Sequence, residues 1–171
     1  MQGEQKIYLE KGQSFLIEIS FYDRIFMRIL GIDYGSKRIG VAICDELGII
    51  AYGIATIIRR NRKQVIEALA ELLKQYGVEK IVIGYPVRLD GTTGIQCEKV
   101  DTFSKVLKTE FSLPVIKWDE TLTTKEAEGI LLEANVRRGK KKKLVDQLAA
   151  TLILRGYLAS LERNKSALQV K

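Results

Sequence analysis

Three short apolar segments stand almost end to end in this chain, Arg28 to Asp33, Arg38 to Cys44 and about Gly48 to Ile57, parted only by Tyr34-Gly35-Ser36 and Asp45-Glu46-Leu47. Connections this tight permit only antiparallel neighbours, because a parallel crossover needs a dozen residues or more. The period then changes. Residues 62 to 76 carry Val65, Ile66, Leu69, Leu72, Leu73 and Tyr76 at helical spacing, and Gly77 supplies the C-terminal stop. Lys80-Ile81-Val82-Ile83-Gly84 is apolar and β-branched, as expected of a strand covered on both faces in a parallel sheet. A helix is expected over about 94 to 110, a fifth strand at Val115-Ile116-Lys117-Trp118, and another helix from Thr123, whose spacing to Glu126 suits a capping box. A last helix should run from about Lys143 to Leu161.

The order β-β-β-α-β-α-β-α-α is an antiparallel meander extended by two right-handed crossovers. It predicts an α/β, RNase H-like fold, with a mixed five-stranded sheet flanked by helices. At 171 residues one domain is expected, spanning 27–163. Met27 stands directly before the first strand, so residues 1–26 read as an extension that alternates well enough for a hairpin turning at Lys11-Gly12. Residues 164–171 read as a tail. No apolar run is seen to approach the roughly 20 residues of a membrane span, and no secretory signal is recognised, so a cytosolic location and no membrane partner are expected.

The chain has no histidine, which removes the commonest general base, Ser-His triads and histidine-ligated metals. Its two cysteines, Cys44 and Cys97, are far apart and suggest neither a zinc site nor a disulfide framework. Catalysis must therefore rest on carboxylates, lysine or bound metal. Lys plus Arg outnumber Asp plus Glu by 28 to 21, a balance that favours polyanionic partners. The excess is concentrated in Arg59-Arg60-Asn61-Arg62-Lys63 and Arg137-Arg138-Gly139-Lys140-Lys141-Lys142-Lys143, read as two basic loops. The bland alternative is a pair of solvated, helix-flanking runs.

Three acids are candidate ligands, two of them where an α/β protein presents its ligands and the third where an acid is costly unless compensated. Asp33 ends the first strand, among glycines that are expected to let a substrate backbone come close. Glu120 follows the fifth strand, and Asp146 lies early in the apolar last helix, where Ala149-Ala150 would let the helix approach the sheet. Each has an ordinary explanation: a turn aspartate for Asp33, an acid favouring a helix N-terminus for Asp119 or Glu120, an ion pair with a neighbouring lysine for Asp146. Together they form an oxygen ligand set suited to Mg²⁺ or Mn²⁺, with which phosphodiester hydrolysis needs no histidine. Lys37, Arg38, Arg88, Arg137, Arg138, Lys140, Lys141, Lys142 and Lys143 are the candidate nucleic-acid contacts, Arg88 from the loop Gly84-Tyr85-Pro86-Val87-Arg88-Leu89-Asp90-Gly91-Thr92.

Four blocks in this order carry a family resemblance: Gly31-Ile32-Asp33-Tyr34-Gly35 with Arg38-Ile39-Gly40-Val41-Ala42; Gly84-Tyr85-Pro86 with Asp90-Gly91; Asp119-Glu120 with Leu122-Thr123-Thr124; and Lys143-Leu144-Val145-Asp146 with Ala149-Ala150. From Met27 to Leu161 the chain resembles the pre-16S rRNA nucleases of the YqgF type, also described as Holliday-junction-resolvase-like proteins. The resemblance implies maturation of the 5′ end of 16S rRNA, with pre-16S rRNA or a pre-ribosomal particle as partner, and catalytic, metal-holding roles for Asp33, Glu120 and Asp146. The family usually has arginine after the Asp-Glu pair; this chain has Thr121, so a phosphate contact there would fall to Arg88 or a basic loop. Three other readings compete: a resolvase acting on branched DNA, an ATP-binding phosphotransferase module, and a non-catalytic RNA-binding assembly protein whose acids are structural. The phosphotransferase class repeats this fold in two domains, and the chain has room for one. Oligomeric state is not legible.

Overall fold

The structure is a computed structural model and describes residues 27–87, 92–119 and 138–169, with the side chains of the last segment described over 143–164. Its elements are β1 (Ile29–Tyr34), β2 (Arg38–Cys44), β3 (Ala51–Ile58), α1 (Arg62–Tyr76), β4 (Lys80–Tyr85), α2 (Ile95–Phe111), β5 (Val115–Asp119) and α3 (Arg138–Gln169). The expected extension (1–26), the Arg88–Asp90 loop tip, the helix beginning at Thr123, and Glu120, Thr121 and Arg137 lie outside the described residues.

One five-stranded sheet runs β3-β2-β1-β4-β5. β1, β2 and β3 pair antiparallel, while β4 joins β1 and β5 joins β4 in parallel. This is the RNase H-like arrangement that the element order predicts. Strand alternation assigns the two faces. Leu30, Ile32, Ile39, Val41, Ile43, Ile81 and Ile83 meet Val65 and Leu69 of α1 and Val100, Phe103 and Leu107 of α2. Ile29, Ala42, Cys44 and Val82 meet Ala150, Ile153, Leu154, Tyr157 and Leu158 of α3. α1 follows its expected bounds: the Asn61 side chain caps the N-terminus by accepting from the Gln64 N–H at 2.8 Å, and Gly77 ends it with φ of 60°.

Two elements differ from expectation for physical reasons. β3 begins at Ala51 because the Asp45 carboxylate accepts from the N–H groups of Ile49 and Ile50, at 2.7 and 3.0 Å, holding the connection as a loop. α3 runs from Arg138 through Gln169, overtaking both the basic loop and the expected tail from 164. Lysine and arginine are good helix formers, and no proline or glycine stops the chain after Leu161. By length and composition Lys143–Asn164 would pass for a membrane span, contrary to the expectation that no such run exists. Its apolar side is spent on the sheet instead.

α3 lies against the sheet backbone. A β-carbon on Gly40 would fall 1.8 Å from the carbonyl oxygen of Asp146, and one on Gly31 would fall 2.8 Å from the β-carbon of Leu154. On Gly53 it would lie 2.7 Å from the β-carbon of Gln147. The glycines at 31 and 40, read from sequence as room for a substrate, are thus room for a helix.

Gly40→Ala must displace rigid backbone and is expected to cost about 3 kcal/mol or more. Gly77→Ala meets open space and carries only the strain of its positive φ, about 1–2 kcal/mol. Urea unfolding of the two variants checks this; equal losses would show that α3 is not seated on β2 as described.

Candidate active site at the carboxyl edge of the sheet

Because β1, β4 and β5 are parallel, their carboxyl ends share one edge of the sheet. Asp33, Tyr85 and Asp119 stand there, as do Arg38 opening β2 and Arg59 just after β3. Asp33 shares the face of Ile29 and Gly31, which α3 covers, and pairs across the ladder with Gly40. The close seat of Gly40 on the Asp146 carbonyl therefore delivers Asp146 beside Asp33.

The two acids feel each other. Burial, and then the charge of Asp146, push the Asp33 carboxyl up to about 6. Asp146 keeps 14% of its side-chain exposure and is paired with Arg38: Nε donates to one carboxylate oxygen and Nη2 to the other at 3.4 Å. The ion-pair partner expected for Asp146 is a lysine nearby in sequence; the structure gives it Arg38, at the start of β2. Arg38, a candidate nucleic-acid contact, is thus engaged by an acid. The guanidinium has five N–H donors, so the pair leaves it others.

The turn after Asp33 is held from several sides. Arg59 donates to the carbonyls of Gly35 and Ser36 at 2.6 and 3.3 Å and to the Tyr34 hydroxyl, with its guanidinium 4.0 Å from the Tyr34 ring centroid. Phe103 stacks on that ring at 4.2 Å, and Gln96 donates to the Tyr34 carbonyl at 2.8 Å. A catalytic carboxylate gains from such locking, since a loosely held site loses its geometry. Further along the edge, Asp101 accepts from Lys117 at 2.8 Å and from the Tyr85 hydroxyl at 3.2 Å, and Lys117 holds its carboxyl below the usual range. These charges satisfy one another.

Of the three predicted acids, the structure brings Asp33 and Asp146 together. Glu120 is outside the described residues, although Asp119 before it ends β5 at the same edge. Among the described residues no three His, Cys, Asp or Glu side chains form a group able to hold a metal ion. Two adjacent carboxylates, one reluctant to ionise beside the other, do fit a divalent cation in their chemistry, because such an ion favours the charged form of both. Lys37 and Lys143 are exposed; Arg138 and Lys140 to Lys142 lie on the first turns of α3. Sequence reasoning missed the clamping role of Arg59. Its membership of a basic run was visible, but its aromatic and carbonyl partners lie on other elements.

A family model described as RuvX, Holliday junction resolvase, matches residues 27–160. A protein of Syntrophus aciditrophicus named "Putative pre-16S rRNA nuclease" is 56% identical over 139 residues, covering 81% of this chain and 93% of its own. One of the same name from Bacillus subtilis is 49% identical over 138 residues, covering 79% and 99%. The fowlpox virus resolvase, solved in complex with Holliday junction DNA, matches with a TM-score of 0.52 at 18% identity, over 79% of this chain and 99% of that one. At that identity the likeness speaks for the fold.

The raised Asp33 carboxyl has a consequence for stability. Its folded pKa of about 6 exceeds the ordinary value, about 3.9 in an unfolded chain. The fold therefore binds more protons than the unfolded state between those values and loses stability as pH rises through that window. Asp33→Asn removes the cost, so it should be more stable than the parent at pH 7 by about 1–3 kcal/mol and equal to it near pH 4. Denaturant unfolding in chelator across that range checks this; a difference independent of pH would contradict it.

Proposed function

The chain belongs to the RuvX family, described as Holliday junction resolvases, and on that premise we propose that it is a metal-dependent nuclease of structured nucleic acid, maturing the 5′ end of pre-16S rRNA in ribosome biogenesis. The observation that carries the reading is the convergence of Asp33 and Asp146 at the carboxyl edge, with repulsion between them. The names of its relatives support the RNA substrate. Two buried free thiols suit a reducing, cytosolic setting.

Asp33 and Asp146, joined by Glu120, would hold Mg²⁺ or Mn²⁺. When bound, such an ion supplies an activated water and charge neutralisation at the leaving oxygen. Asp33 has to be ionised to take part, and its raised carboxyl sets the lower pH limit. Arg38 orients Asp146 and turns its remaining N–H groups towards a phosphate oxygen, the acceptor its planar fork suits. Helix α3 opens on Arg138 and Lys140 to Lys143 with no acid in its first turn. Cations at a helix N-terminus oppose the macrodipole, and a polyanion resting there would offset that cost.

The Arg38–Asp146 pair also favours a second reading, an RNA-binding assembly protein whose acids are structural, since an ion pair is what a structural acid needs. Cleavage of precursor 16S rRNA and of a DNA four-way junction, each with Mg²⁺ or Mn²⁺, separates these. Asp33→Asn should bind RNA like the parent and lose cleavage to background. At sub-saturating metal the parent's rate should fall about tenfold per pH unit below the Asp33 pKa. Cutting confined to the junction would make it a DNA resolvase, and equal cutting by variant and parent would remove Asp33 from the mechanism.

A further inference from the structure

On the face of the sheet opposite the acids, a cavity of about 290 Å³ opens at the same edge. Tyr34, Ser36, Arg59, Arg60, Arg62 and Phe103 are among its walls. We propose that it seats a non-scissile phosphate of the same nucleic-acid strand that presents its scissile phosphate to Asp33 and Asp146. The word scissile rests on the nuclease reading; the phosphate seat does not.

The walls choose the ligand. Among the described residues three arginines line the cavity and no acid does. Glu110, which pairs with Arg62 at 3.2 Å, is exposed, and such a surface pair holds its partner weakly. A nucleobase is a poor fit, because Arg59 and Phe103 already contact the Tyr34 ring and little aromatic face remains for stacking. Arg59 is spent on the turn and acts as a fixed wall. Arg60 is exposed and has no side-chain partner among the described residues, so its N–H fork is free for a phosphate. The volume suits a phosphate group with its water, being on the order of ten water molecules.

The location joins this seat to the acids. Asp33 and Tyr34 are consecutive in an extended strand and therefore point to opposite faces. Only the turn at residues 35 to 37 separates the two sites, and Lys37 is exposed upon it. A single strand crossing that turn meets the acid pair on one side and Arg60 and Arg62 on the other.

The test is binding of fluorescent 12-nucleotide RNA and DNA single strands in chelator, from 50 to 200 mM salt, followed by anisotropy. Arg60→Gln/Arg62→Gln leaves the Arg59 wall intact, and Lys105→Gln/Lys108→Gln, at exposed sites on α2, makes the same charge change elsewhere. Melting temperatures of both should match the parent. The arginine variant should bind both polymers about tenfold more weakly at the lowest salt, with a salt slope shallower by about 0.7 for the lost phosphate. The lysine variant should stay within about twofold of the parent. Equal behaviour of the two variants, an unchanged slope, absence of binding by the parent, or a loss confined to RNA would each overturn the phosphate seat. Since no cleavage occurs in chelator, failure of the nuclease reading would leave a positive result standing. Conversely, an Asp33-dependent nuclease whose arginine variant binds like the parent would retain its activity assignment and lose this one.

Discussion

Helix α3 rests on bare backbone. Gly31, Gly40 and Gly53 present no side chain to it, so its carbonyls and β-carbons reach the strands directly. This close seat brings position 146 beside position 33. A protruding residue at Gly40 would lift the helix from β2 and carry Asp146 away from the edge. The apolar contacts of Ala150, Ile153, Leu154 and Leu158 supply the driving force for the seat, and the glycines set how near it comes. Packing density is thus what creates the electrostatic arrangement at the edge.

That arrangement has a cost and a compensation. Two acids side by side in partly buried surroundings raise the pKa of one of them, and Arg38 answers the charge of the other. A chain selected only for stability would have one acid fewer here, since removing one partner of a repelling pair stabilises the rest. Keeping both is intelligible when a cation or a phosphate completes the site. The Arg59 clamp on Tyr34, Gly35 and Ser36 adds rigidity where the acid needs it, and Arg60 and Arg62 beside it extend positive potential around the turn.

Much of this was legible along the sequence, because local period and turn length are local physics. The first two strands, the helix ending at Gly77 and the β-branched run at 81–83 stand where their patterns put them, and the third strand starts only a few residues late. Asp33 was legible from the rule that ligands gather beyond the carboxyl ends of strands, and Asp146 as an acid costly to place in an apolar helix; that the two meet was not. The pairing of Arg38 with Asp146 was not legible, since the two are 108 positions apart and neither pattern points to the other. The purpose of Gly31 and Gly40 was misread for a related reason: a glycine signals close approach, but not what approaches. Residues 138 to 142 were read as a loop from their charge, yet charge does not break a helix and α3 includes them.

The claim on which the account turns is that Asp33 and Asp146 form one charged unit able to take a divalent cation. Carbon-13 NMR titration of the Asp33 carboxyl tests it most directly, in the parent and in Asp146→Asn, with and without Mg²⁺. The account predicts a midpoint near 6 in the metal-free parent, a lower one in Asp146→Asn, and a fall of more than about one unit when Mg²⁺ is added to the parent. A midpoint at the ordinary aspartate value, indifferent both to Asp146 and to Mg²⁺, would contradict it.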